Sequence, residues 1–234
     1  MNAPAAGVRY ASVVLDVDST LTRVEGIEWL AERRGPRVAQ AVAEMTQRAM
    51  EGGTPLDAVY GARLALVKPA RSDVDALADA YSAGVVPGAR LAIGEVQAAG
   101  IRVVAVSGGL RQAVARFAIS LGIAGRDIYA VSLRFTADGE YAGFDETSPL
   151  ARRGGKPIVV RGLGLARPII GVGDGSTDAE LKTMAGGDIP AVDAFAAFVG
   201  VASRPAVVAV ADYVVHNMAE LPALVLGTAV PARS

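Results

Sequence analysis

Cysteine is absent from the 234 residues. Its absence removes disulfides, thiolate nucleophiles and zinc–thiolate centres together, so any metal must be held by oxygen or by the single histidine, His216. Lysine is nearly as scarce: only Lys68, Lys156 and Lys182 stand among 23 basic residues, which 24 acidic ones bring to a net charge of −1. With no dense basic run, no nucleic-acid partner is expected. Long apolar runs are also missing. Leu221 to Val230 is interrupted by Pro222 and Gly227 and is too short to span a membrane. Met1 to Leu15 has one Arg and no long apolar core, a poor secretion signal, so the expected location is cytoplasmic with no membrane contact. What remains is 52% hydrophobic and 20% charged. That composition packs a core, and the length suits one α/β domain carrying a substantial insertion.

The most informative stretch is Val13-Val14-Leu15-Asp16-Val17-Asp18-Ser19-Thr20. An apolar run long enough for a buried parallel strand stops at two carboxylates spaced i, i+2 and passes into hydroxyl residues. If the strand continues to Asp18, both carboxylates address one point in space. Their mutual repulsion then calls for a divalent cation or a shared proton. The plainer alternative is that Asp18, Ser19 or Thr20 caps a following helix.

From Ile27 to Tyr81 the apolar spacing predicts four helices and no strand, with breaks at Arg34-Gly35-Pro36, at Glu51 to Pro55 and at Pro69. A helical insertion directly after the first strand follows. Two further buried strands are expected: Ile101 to Val106, ending in Ser107-Gly108-Gly109 at a helix start, and Pro168 to Gly173, ending in Asp174-Gly175-Ser176-Thr177-Asp178. A hairpin turning at Asp138-Gly139 lies between them, and Gly154-Gly155-Lys156 opens a short helix. Helix 179–185, short strands 196–201 and 213–215 and a closing helix 218–226 complete the reading. Strands alternating with helices make a parallel, Rossmann-like sheet with helices on both faces, whose ligands bind at the carboxyl ends of the strands.

Those strand ends carry what phosphate chemistry needs. Asp16 and Asp174, with Asp178 nearby, are hard oxygen ligands suited to Mg²⁺. Ser107 and the N–H groups of Gly108 and Gly109 can cradle a phosphate, and Lys156 adds a point charge. Asp16 can attack phosphorus to give an aspartyl-phosphate, while Asp18 protonates the leaving oxygen and later deprotonates water.

DVDST on the first strand, VSGG on the second, GGK before the third and GDGSTD on it resemble the four motifs of the haloacid dehalogenase superfamily, in order. The insertion resembles the type-one helical cap of that superfamily's phosphoserine phosphatases. The resemblance implies a core of 1–22 and 86–234 and a cap of 23–85. It also implies Mg²⁺-dependent hydrolysis of O-phosphoserine, the final step of serine biosynthesis. Asp16 would be nucleophile and metal ligand; Asp18 would be the acid/base, binding the metal through its carbonyl. Asp174 would complete the ligands, with Asp178 outside it. Ser107, Gly108, Lys156 and Thr177 would hold the phosphoryl end, Glu25 the substrate ammonium and Arg63 its carboxylate, with Met50 and Leu56 at the lid. Opposite charges on Glu25 and Arg63 suit a zwitterion. The partner is then a small phosphomonoester, the protein a monomer or homodimer. Another phosphomonoester, transfer to an acceptor such as homoserine, and a receiver-like or inactive phosphate-binding module remain as alternatives.

Overall fold

The computed structural model describes residues 7–50, 56–183 and 189–228, without the side chains of 49–50 and 56–58. In chain order the elements are β1 (Ser12–Leu15), α1 (Gly26–Arg33), α2 (Pro36–Met50), α3 (Leu56–Val67), α4 (Arg71–Ala83), α5 (Ala89–Ala98), β2 (Arg102–Leu110), α6 (Arg111–Ser120), β3 (Ile128–Val131), β4 (Leu133–Phe135) and β5 (Tyr141–Phe144). They continue with α7 (Gly155–Gly162), β6 (Ile169–Gly173), α8 (Ser176–Ala179), β7 (Ala194–Phe198), α9 (Pro205–Val210), β8 (Tyr213–Val215) and α10 (Leu221–Leu226).

Six strands form a parallel sheet in the order β3-β2-β1-β6-β7-β8, and β4 pairs with β5 in a separate hairpin. Every residue of β1, β6 and β7 is buried. Successive residues of a strand face opposite sides, so both faces of the sheet are covered, which is why these strands read as unbroken apolar runs. From β1 the chain steps to β2 on one side, and from β6 to β7 on the other. The reversal leaves a crevice between the carboxyl ends of β1 and β6, the usual ligand position in an open parallel sheet.

Helices α1 to α4 are inserted between β1 and α5. Their entry and exit run together: Thr22 bridges Val85 antiparallel, Arg23 N donates to Gly84 O at 2.8 Å and Val86 N to Leu21 O at 2.9 Å. Among the described residues the inserted helices share the core of the sheet. Leu30, Leu64, Leu77 and Tyr81 belong to the same buried cluster as Val14 and Val104, and Tyr81 meets Phe117 of α6 ring to ring at 5.6 Å.

Several expectations shift. β1 ends at Leu15 and not at Asp18, because Thr20, Leu21 and Thr22 all turn back to donate to Val17 O. β2 runs on through Ser107, Gly108 and Gly109 to Leu110, which pairs with Val131, so the Ser-Gly-Gly stretch is strand and not a helix start. The strand expected over 196–201 lies at Ala194–Phe198. The helix expected over 179–185 begins earlier, as α8, and 184–188 fall outside the described residues. α9, with Pro205 in its first turn, carries no apolar periodicity strong enough to announce it. Among the described residues no helix is long and apolar enough to cross a membrane.

Candidate active site

Asp16 follows β1 directly and its N–H extends the ladder to Val172 O at 3.0 Å, so the sheet fixes its backbone. Asp174 follows β6 directly. Asp178 reaches back from α8: its Oδ2 accepts the Gly175 N–H at 2.9 Å. A side chain at Gly173 would collide with the Asp178 carboxylate, so this β6 terminus requires glycine. Oxygens of Asp16, Asp174 and Asp178 lie within 4.8 Å of one another, and all three residues are buried.

Lys156, in the first turn of α7, holds this cluster together. Its Nζ donates to Asp16 Oδ1 at 2.6 Å and to Asp178 Oδ1 at 2.5 Å. Burial alone would lower its pKa, but the two carboxylates outweigh that and raise it above the ordinary value. Burial, and then Asp16, push the Asp178 carboxyl up to about 7 against the pull of Lys156. Asp174 is held differently: Thr20 Oγ1 donates to its Oδ1 at 3.3 Å, while its Oδ2 accepts no hydrogen bond and is ion-paired with Arg204. Three buried carboxylates whose oxygens lie within 4.8 Å of one another are the hard donors a divalent cation takes.

Asp18 points away from that cluster. Tyr81 Oη donates to its Oδ1 at 2.5 Å, as does Gly26 N–H at 3.0 Å, and Ser107 Oγ lies 3.2 Å from its Oδ2. Burial first, then Glu25 and Asp16, push its carboxyl up to about 8. The turn, and not strand alternation, therefore gives the two carboxylates different surroundings, Asp16 beside the Lys156 ammonium and Asp18 among the groups that raise its pKa. Gly109 is needed beside them, since a Cβ there would sit 2.6 Å from Asp18 Oδ2. The Gly109 N–H donates to Ser107 Oγ at 2.8 Å, and Tyr60 Oη donates to Gly108 O at 2.8 Å.

The inserted helices form the opposite wall. Glu25, at the N-cap of α1, accepts from Ser19 Oγ at 2.6 Å. Ser19 has φ 52°, a left-handed conformation uncommon for a residue with a side chain, and it directs this hydroxyl toward the insertion. Burial raises the Glu25 pKa, opposed by the Ser19 bond. Arg63 on α3 meets Glu28 at 3.0 Å.

A cavity of about 190 Å³ brings together Asp16, Asp18, Glu25, Arg63, Ser107, Gly108, Lys156 and Thr177. An adjoining one of about 170 Å³ adds Asp174 and Asp178. The side chains of Met50 and Leu56 lie outside the described residues. Sequence reasoning missed Tyr81, Tyr60, Glu28, Arg152 and Arg204, all of which line these cavities or touch Asp18. Glu28 could have been found from its place one helical turn after Glu25; nothing local marks Arg204. His216 is exposed and belongs to neither cavity.

Residues 13–181 match the model of a haloacid dehalogenase-like hydrolase. The chain belongs to that family. It is 39% identical over 213 residues to the phosphoserine phosphatase of Homo sapiens, covering 90% of this chain and 91% of that one. Among solved structures, a phosphoserine phosphohydrolase-like protein from Francisella tularensis superposes with a TM-score of 0.80 at 25% identity, over 92% of this chain and 99% of that one. A phospho-aspartyl intermediate analogue of phosphoserine phosphatase superposes with a TM-score of 0.72 at 25% identity, over 90% and 95%. The matched span takes in β1, β2, β3 and β6, the three strand-end motifs, the Gly-Gly-Lys start of α7 and the inserted helices.

Proposed function

We infer that this hydrolase converts O-phosphoserine to serine and phosphate through a phosphorylated Asp16, with Mg²⁺ as its cofactor. The observation that carries the reading is the division of the two carboxylates. Asp16 lies beside Lys156 and open to the cavity, while Asp18 is held by Tyr81 and Gly26 with its carboxyl pushed up by burial, Glu25 and Asp16, as a proton donor needs. A carboxylate oxygen of Asp16 forms a bond to phosphorus as the bond to the serine oxygen breaks, and Asp18 delivers its proton to that leaving oxygen. In the second half Asp18 takes a proton from water, whose oxygen bonds to phosphorus as the Asp16–phosphorus bond breaks, releasing phosphate.

Lys156, Ser107 and the Gly108 backbone surround the phosphoryl end, with Thr177 at its edge. Asp16, Asp174 and the Asp18 carbonyl would hold Mg²⁺, which when bound neutralises phosphoryl charge that Lys156 alone cannot balance. Asp178, with both oxygens engaged by Lys156 and Gly175, fits a supporting place outside the ligands. Glu25 and Arg63 meet the ammonium and carboxylate of the amino acid, and 23–85 act as a cap hinged where Thr22 bridges Val85.

Phosphate release by purified protein from a panel of phosphorylated metabolites, with Mg²⁺ and with EDTA, tests this reading. O-phosphoserine should lead the panel and EDTA should abolish its turnover. A preference for a phosphomonoester without an amino-acid end would sink the substrate assignment, and full activity in EDTA would sink the metal.

A further inference from the structure

Arg63 enters the cavity wall with Nη1 donating to two acceptors, Glu28 Oε1 and Thr46 Oγ1, each at 3.0 Å. The Thr46 hydroxyl donates in turn to Glu28 Oε1 at 2.8 Å, closing a triangle across α1, α2 and α3. A guanidinium carries five N–H donors in one rigid plane. Here the Nη1 corner is tied, while Nε is buried without a hydrogen-bond partner. A buried charged donor left unpaired is costly, so a carboxylate that reached it on binding would recover that cost. Nε and Nη2 lie on one side of the guanidinium with a spacing that matches the two oxygens of a carboxylate, and Arg63 lines the cavity.

The charge balance sharpens the point. Glu28 neutralises Arg63 at close range, so an approaching anion meets a nearly neutral pair with little long-range pull. Recognition then depends on aligning two N–H bonds with two oxygens at contact. Such alignment needs a guanidinium that cannot rotate, and contacts from two neighbouring helices restrain it from one side.

We propose that Glu28 and Thr46 are positioning residues that hold Arg63 by Nη1, so that its Nε/Nη2 edge, and not its charge alone, selects substrates bearing a carboxylate. The proposal rests on the phosphoserine reading above.

Initial-rate kinetics on O-phosphoserine and on O-phosphoethanolamine, which keeps the phosphate and ammonium but has no carboxylate, separate the two. The wild type should favour phosphoserine, and the ratio of kcat/KM between the substrates should fall about tenfold or more in Glu28→Gln and in Thr46→Val. The change should lie in the KM for phosphoserine, with kcat moving less than about twofold. Arg63→Lys keeps the charge but loses the edge, and its ratio should fall as far. Thr46→Val is nearly isosteric and removes one leg of the triangle should Glu28→Gln fold poorly. Equal losses on both substrates would reduce the triangle to a structural brace, and an undiminished ratio in Arg63→Lys would make charge sufficient; either overturns the proposal. A wild type that does not favour phosphoserine overturns the substrate reading itself, a result visible before any variant is made.

Discussion

On the floor of the pocket Lys156 lies 2.6 Å from Asp16 and 2.5 Å from Asp178, with 2–9% of these side chains exposed. On the roof Arg63 meets Glu28 at 3.0 Å with 12% and 29% exposed. The floor pair is locked by a parallel sheet whose ladder continues into the Asp16 backbone; the roof pair is carried on helices that enter and leave through two adjacent strands of chain. Burial and rigidity make the floor charges strong and unforgiving, because an ion left alone there has no water to turn to. The roof charges can exchange partners with a ligand at smaller cost. The floor should therefore set whether chemistry happens, and the roof on which molecule.

The sharpest way to break that division is Asp16→Asn. Phosphate release should fall by at least about a thousandfold on every substrate while the circular dichroism spectrum is unchanged, since an amide cannot form the acyl phosphate. Turnover surviving in this variant would refute covalent catalysis. Next in size, Lys156→Met leaves Asp16 and Asp178 facing each other without their cation. A loss of about a hundredfold in kcat should come with a lower melting temperature, read together by kinetics and calorimetry. Arg63→Ala should cost phosphoserine about ten- to a hundredfold in kcat/KM and O-phosphoethanolamine far less. If Arg63→Ala proved as indiscriminate as the floor variants, the comparison of floor and roof would collapse.

A separate expectation concerns stability. Asp18 titrates near 8 and Asp178 near 7 in the native protein, against 3.8 for the unconstrained carboxyl. Between those values the unfolded chain has released protons that the native protein still binds, so stability falls as pH rises from about 4 to about 8 and levels off above. The metal-free protein should accordingly melt lower at pH 8 than at pH 5, and added Mg²⁺ should recover more at the higher pH. Thermal scans at the two pH values, with and without the ion, measure this; a melting temperature that rose toward pH 8 without metal would contradict the cause assigned to these carboxyls.

Legibility in the sequence followed the same line between floor and roof. Buried parallel strands must be apolar throughout, so β1 and β6 stood out, and so did the acids that ended them. The inserted helices were readable as helices from their apolar spacing. Their contribution to the pocket was not, because Tyr81 meets Asp18 across 63 positions of chain and Glu28 meets Arg63 across 35. Ser107 was picked out for the right neighbourhood with the wrong local structure: pairing of Leu110 with Val131 prolongs β2 past the glycines, a tertiary preference that overrides the usual reading of Gly-Gly as a break.

By itself the sequence determined the sheet, the insertion and the set of strand-end groups, because strand burial and turn chemistry are written in adjacent residues. The sequence already offered Asp18 as the acid, but only the tertiary structure supplied the cause that raises its pKa. That depends on how far burial, Glu25 and Asp16 outweigh the Tyr81 and Gly26 hydrogen bonds at Asp18, a balance of groups from separate segments of the chain. The orientation of Arg63 was decided there too, since three helices must pack before Glu28 and Thr46 can share its Nη1.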